Sequence, residues 1–387
     1  MQLAKTTAMV PRTQQRATLL IFLLVGAVQA AWAPLVPYAK ARVHANDQQF
    51  GLLLLCFGLG SILSMPTMGA LAGRYGCKPL IQITAVGASL GLLGVAVAPT
   101  AWLLALALML FGAFIGSCDV VMNVQALLVE RSSGQSLMPS FHALFSVGTI
   151  VGAILMSGFL WVNLPPALAA TVAVPLLLAL LLLARGGLLP YGKEPAKNSA
   201  AFAWPSGHVV LLGALAFLTM LAEGSMLDWS ALFLMDNAGL RASHAGLGYA
   251  AFSVAMTLSR LTGGRQVNHL GRTRLLAGGA LLAAAGFALA ALLPSATVAV
   301  LSFTLIGVSL ANLVPLFFSM AAEAAGNLGM NVSFVSTLGY AGILIGPAWI
   351  GFVVHAKGFG MAFGGVALLL VLVAGLSIPA AKRAPAG

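Results

Sequence analysis

Apolar residues fill this chain in runs of roughly 18 to 29 positions, separated by short polar or Gly/Pro-marked breaks. Strand-like alternation is scarce along it. Runs of that length match a hydrocarbon core of ~30 Å, which takes about 20 helical residues to cross. The pattern predicts twelve membrane helices, at 17–39, 49–72, 79–98, 101–129, 139–160, 167–184, 208–235, 246–263, 275–293, 296–318, 332–354 and 361–380. Breaks as short as Pro99-Thr100 and Pro294-Ser295 leave room only for antiparallel neighbours.

Composition sharpens this to an all-α membrane protein. Of 387 residues, 60% are hydrophobic and 7% charged, against roughly 25% charged in soluble domains. Forty-four glycines favour close helix packing over a barrel. The net charge of +11 would suggest nucleic acid in a soluble chain. Here, with both termini on the cytoplasmic side, fifteen Lys and Arg fall in cytoplasmic segments and four (Lys40, Arg42, Arg241 and Lys357) fall outside. That asymmetry is the positive-inside pattern, and no nucleic-acid partner is needed to explain the charge. Cys56, Cys77 and Cys118 stand without CxxC spacing, so neither a disulfide framework nor a metal site is indicated.

The longest polar interruption, 185–207, divides the chain into an N-terminal six-helix half (1–184) and a C-terminal one (208–387) joined by a cytoplasmic linker. An offset of 195 residues lays Gly51-Leu52 on Gly246-Leu247, Phe57 on Phe252, Leu63-Ser64 on Leu258-Ser259, Thr67 on Thr262, Gly69 on Gly264, Gly76 on Gly271 and Leu80 on Leu275. An offset of 193 lays Asp119 and Glu130 on Asn312 and Glu323. Two parallel repeats of this kind predict a transporter with its site between them.

GALAGRYGCK (69–78) resembles the signature Gly-x-Leu-Ala-Asp-Arg-x-Gly-Arg-Lys of the major facilitator superfamily, with a weaker copy in GRQVNHLGRTR (264–274). Gly73 and Cys77 stand where the signature has Asp and Arg. Within the superfamily, DVVMNVQALLVER (119–131), MPSFHALFSVG (138–148), AEGSMLDW (222–229) and GYAGILIGP (339–347) are similar to the fucose-permease-like branch. That resemblance implies an acid and an amide four residues apart in the fourth span, here Asp119 and Asn123. The branch also has an acid in its first span, where this chain has Ala33.

Among eight acids, only Asp119, Glu223 and Asp228 fall within predicted spans. Each costs at least ~2.5 to 3.5 kcal/mol at bilayer depth, so such groups usually face a polar cavity or a partner. Gly112, Gly116, Asp119, Asn123, Ala126 and Glu130 share one helical face, expected to be a water-accessible wall. Asp119 is the expected proton-coupling residue, with Glu223 second. Asp228 lies ~140 degrees around the helix from Glu223, beside Trp229, and is expected either at an outer gate or as an interfacial anchor. Asn123, Gln29, Trp32, Asn312 and Tyr340 are the expected substrate contacts. Glu130 is expected to pair with Arg74 or Arg131 near the cytoplasmic ends of the spans, and Glu323 with Arg260, Arg265 or Arg272, as an inner gate.

No Gly-rich loop ending in Gly-Lys-Ser/Thr occurs, and no Ser-His-Asp or Cys-His grouping can be assembled, so neither ATP-driven nor enzymatic chemistry is expected and no cofactor is implied. The expected function is secondary transport of a small polar, sugar-like solute across a bacterial inner membrane by alternating access, coupled to protons, by a monomer. The alternatives are a proton-coupled exporter of amphiphilic drugs or metabolites, and a membrane sensor or scaffold that transports nothing.

Overall fold

A computed structural model describes residues 12–133, 137–192, 205–293, 295–325 and 328–382. Lys5, Pro294, Arg383 and the linker residues Lys193, Glu194, Lys197 and Asn198 lie outside them.

Every regular element among the described residues is helical. The first series comprises α1 (Arg12–Ala30), a 3-10 turn at Ala33–Leu35, α2 (Val36–Arg42), α3 (Asp47–Tyr75), α4 (Cys77–Val97), α5 (Ala101–Ser133), α6 (Met138–Trp161) and α7 (Pro166–Ala184). The second comprises α8 (Gly207–Asp236), α9 (Ala242–Ala245), α10 (Leu247–Leu261), α11 (Gly263–Leu270), α12 (Arg272–Leu292), α13 (Ala296–Leu310), α14 (Leu313–Glu323) and α15 (Leu328–Lys382). Among the described residues, ten helical segments are long and apolar enough to cross a bilayer. The last of these, α15, turns at Gly358 (φ 79) into two limbs, and α10 alone has only 15 residues, which accounts for the difference from twelve.

The terminal signals explain the boundaries. Asn46 accepts from the Gln49 amide while the Gln49 side chain accepts from the Asn46 amide, a capping box that starts α3. Arg42 donates to the carbonyls of Val95, Ala96 and Ala98 at 2.6, 2.6 and 2.8 Å, serving the end of α4 that has no intrahelical donors left. At the two signature-like stretches, α3 gives way to α4 at Gly76 (φ 86), and α11 to α12 at Gly271 (φ 75). Both positions, 195 residues apart, take a conformation open to glycine and strained for other residues.

The same offset governs packing. Gly112 of α5 lies so close to the Phe57 carbonyl of α3 that a Cβ would overlap it, and Gly307 of α13 stands in the same relation to Phe252 of α10. Ser64 Oγ donates to the Ala113 carbonyl at 2.9 Å, and Ser259 Oγ to the Val308 carbonyl at 2.9 Å. At an offset of 194, Gly148 and Gly152 bring α6 against α1, as Gly342 and Gly346 bring α15 against α8. Small residues thus let backbones touch where lipid supplies no hydrophobic drive.

The symmetry fails at one depth. Helices α3 and α5 run unbroken, whereas their counterparts break at Thr262 and at Ala311-Asn312. The span expected at 246–263 is therefore α10 alone, that at 296–318 is two helices, and the 264–274 loop is largely α11. Gly263-Gly264 weakens the helix at the first break. At the second, Pro315 in the first turn of α14 has no amide to offer the Ala311 carbonyl.

Candidate functional site

The two series meet closely at the end of the bundle where α2 gives way to α3 and α8 to α9. Trp32, at the irregular join between α1 and the 3-10 turn, reaches across so that its Nε1 donates to Asp228 Oδ1 at 3.1 Å. Both residues are buried. Lys40 Nζ sits 2.5 Å from Asp47 Oδ1 and 3.4 Å from Asp236 Oδ2, so one ammonium holds acids of both series. The Trp161 and His244 rings lie 4.0 Å apart between centroids. Glycines permit the approach: Gly51 meets Pro347 and Gly351 of α15, and Gly246 meets Pro34 and Ser157.

Deeper in the bundle lies a cavity of about 100 Å³ between α1, α6, α8, α10 and α15. Its polar wall includes Gln29, Ser146, Thr149, Tyr249, Ser253 and Thr257, and its charges are Glu223 and Arg260. Arg260 donates from one terminal nitrogen to Glu223 Oε1 at 3.1 Å and from Nε to the Ala311 carbonyl at 3.1 Å. The second bond is the one Pro315 leaves open. Ligand sites for drug-sized molecules run to roughly 300–1,000 Å³, so this cavity must expand to take a solute of that size.

A larger hollow of about 680 Å³ lies between Ile154, α10 and α13. Its walls are mostly apolar, and Ile154, Leu258 and Val308 are exposed on an apolar outer surface. The smaller, charged cavity is the candidate site.

Of the expected substrate contacts, only Gln29 lines this cavity. Trp32 belongs to the seal. Asn123 is half-buried and turns back on its own helix, with Nδ2 2.8 Å from the Asp119 carbonyl and 3.4 Å from Asp119 Oδ1. Tyr340 is 40% exposed and within the electrostatic reach of both Asp119 and Glu223. Asn312 is not a cavity residue: its Nδ2 donates to Gln266 Oε1 at 3.1 Å and to the Ser259 carbonyl at 3.5 Å, fastening the two helix breaks together. The wall expected along α5 is corrected likewise, since Gly112 and Gly116 pack on α3 and Ala126 is fully buried.

One of the expected inner-gate pairs is formed, and the other residues stand elsewhere. Arg272 pairs with Glu323 at 2.5 and 2.7 Å. Glu130 Oε2 accepts from the amides of Leu137 and Met138, both at 2.6 Å, and so caps α6. Arg74 lies over the Tyr75 ring at 5.2 Å, and Arg265 is exposed on α11. Arg260 stands against Glu223 instead of Glu323, because the chain stays helical through α11 and Arg260 sits deeper than the end of the apolar run suggests.

Two features escaped the sequence reading. Tyr249, Ser253, Thr257 and Arg260 form one stripe along α10 at helical spacing, a legible pattern that the surrounding apolar run obscured. Gln125 is buried and joins three elements, donating to Thr18 Oγ1 and accepting from the Leu189 amide, each at 3.1 Å.

Residues 18–241 match the Major Facilitator Superfamily profile. An uncharacterized MFS-type transporter of Yersinia pestis is 46% identical over 367 residues, covering 94% of each chain. Among solved structures, a bacterial homolog of the human lysosomal transporter Spinster, in an inward-facing and occupied conformation, superposes with a TM-score of 0.76 at 15% identity, covering 95% of this chain and 96% of that one. The Escherichia coli fucose:proton symporter gives 0.63 at 18% identity, covering 95% and 98%. At such identities the two structures show a shared fold.

Proposed function

The chain belongs to the Major Facilitator Superfamily, and we propose that it is a proton-coupled secondary transporter that moves a small polar solute by alternating access. The observation that carries this reading is the cavity of Glu223 and Arg260, lying between α1 and α6 of one series and α8, α10 and α15 of the other. Its hydroxyls, amide and ion pair suit a polar cargo better than an amphiphilic drug.

The reading has two six-helix halves, 1–184 and 208–387, joined by the 185–207 linker. The basic residues argue for both termini in the cytoplasm of a bacterial inner membrane. In that orientation the Trp32–Asp228 seal closes the outer end. Asp119 and Glu223 are the proposed proton carriers. Each is an acid in a membrane helix and near Tyr340, and neither is committed to a seal between the series.

Proton flux in proteoliposomes, measured while pools of sugars, sugar acids and amphiphiles are added, tests the reading. A pool that moves protons with wild type but is bound without proton movement by Asp119→Asn assigns coupling to Asp119. Normal coupling in that variant moves the assignment to Glu223. Solute movement without any proton flux makes the protein a uniporter.

A further inference from the structure

The two members of the cavity's ion pair are not held alike. Arg260 is fixed from behind, because its Nε serves the Ala311 carbonyl that Pro315 cannot serve, and Ser259 beside it is bonded to the Val308 carbonyl. Glu223 has Arg260 as its one hydrogen-bond partner among the described residues. One member is therefore part of a joint between two helix pairs, while the other hangs from it by a single bond. A ligand that breaks this pair displaces the loosely held member and must carry its charge. An arginine left unpaired at this depth would be costly, which is why something anionic has to stand there when no solute is bound.

We infer that the Arg260 guanidinium anchors a carboxylate on the transported solute, and that Glu223 occupies its place when the cavity is empty. This rests on the reading of the cavity as a solute site. The planar fork of arginine, already oriented through Nε, suits a carboxylate and adds geometric selectivity that a lysine would lack. The remaining wall, Gln29, Ser146, Thr149, Ser253 and Thr257, offers hydroxyls and an amide to a hydroxylated carbon skeleton. The solute is thus a hydroxylated monocarboxylate.

Charge then dictates the proton. When the solute carboxylate takes Arg260, Glu223 loses the cation it pairs with and takes a proton from water on the open side, forming a neutral carboxyl. When the solute leaves, Glu223 gives that proton up and returns to Arg260. One proton accompanies one anion. The other titratable groups within reach of the pair are Tyr249 on α10, Tyr340 on α15 and His142 on α6, with Asp228 in reach of Tyr249 and Asp119 in reach of Tyr340.

The test is uptake into proteoliposomes of gluconate, quinate and lactate, each against its neutral amide. At least one carboxylate should enter wild type about tenfold faster than its amide, with one proton per anion. Glu223→Gln, which imitates the protonated acid, should bind that carboxylate at least as tightly and exchange it without proton movement. Arg260→Gln should erase the preference for carboxylate over amide, and Arg260→Lys, which keeps the charge, should retain part of it. Equal rates for acid and amide, or loss of carboxylate binding in Glu223→Gln, would overturn the inference. If a neutral sugar or an amine moves and no carboxylate does, the anion subsite is wrong and the transporter reading stands. If neither series nor any other solute moves, both fall.

Discussion

Trp32 and Asp228, 196 residues apart, share a buried hydrogen bond of 3.1 Å that joins the two helix series at the closed end of the bundle. Trp32→Phe keeps most of the ring and removes the donor, leaving the carboxyl buried without that partner. A hydrogen bond to a charged group contributes about 1.5–3 kcal/mol, so the closed-to-open ratio should shift roughly tenfold to a hundredfold. The readout is maleimide labelling of Gln29→Cys in a background lacking Cys56, Cys77 and Cys118, with an impermeant reagent added at the sealed end. Faster labelling in the Trp32→Phe protein is expected. Unchanged labelling would assign the seal to the glycine contacts.

Lys40 should matter less at the same end. Its contacts with Asp47 and Asp236 are partly exposed, with side-chain accessibilities of 15%, 25% and 36%. Such pairs contribute up to ~1 kcal/mol and are screened by salt. Lys40→Gln should therefore raise labelling of the same Gln29→Cys reporter only a few-fold at low salt, and the difference should vanish in ~1 M salt. A salt-insensitive effect as large as that of Trp32→Phe would make Lys40 a structural member of the seal.

The contrast between these residues shows what the chain disclosed in one dimension. Membrane helices, the Gly76 and Gly271 turns and the 195-residue repeat follow from local pattern, since apolar length and glycine placement act within a few residues of themselves. The partner of a polar side chain does not. Trp32 and Gln29 share one segment of the chain, yet one ends in the seal and the other in the cavity wall. Arg260 reads as the end of a span because the apolar run stops near 263. The helix α11 then follows the break at Thr262, so Arg260 is not at the end of the helical chain. Asn312 falls on Asp119 at an offset of 193, two less than the offset that the packing of Gly112 and Gly307 follows, and it stands at a helix break that α5 lacks, so the match in sequence carries no shared task.

Close packing at the repeat-related glycines can be checked directly. Gly112→Ala and Gly307→Ala would each drive a methyl into a backbone carbonyl, of Phe57 and Phe252, and backbone cannot step aside as a side chain end can. Each should cost ~1–3 kcal/mol or more and lower the melting temperature in detergent. Gly264→Ala is the control, since a Cβ there meets nothing within 4 Å and the residue lies inside α11. It should be neutral or stabilise by up to ~1 kcal/mol. Equal losses at all three sites would refute the close-approach explanation.

Pro315 provides the last prediction, because it explains why Arg260 is fixed. The imino acid denies the Ala311 carbonyl its helical donor, and Arg260 Nε fills the vacancy at 3.1 Å. Pro315→Ala restores an amide two residues after the start of α14, so the backbone competes with the guanidinium for one acceptor. A proline in the first turn carries little helix penalty, and stability should change by less than ~1 kcal/mol. Transport should nevertheless slow several-fold, because the arginine loses the bond that orients it toward Glu223. Pro175→Ala, at an exposed position of α7 away from the cavity, separates a local effect from a general proline effect. Should both variants slow transport equally, the orienting role of the Ala311 carbonyl is wrong. If Pro315→Ala alone slows it while melting normally, the helix break exists to hold Arg260 in place.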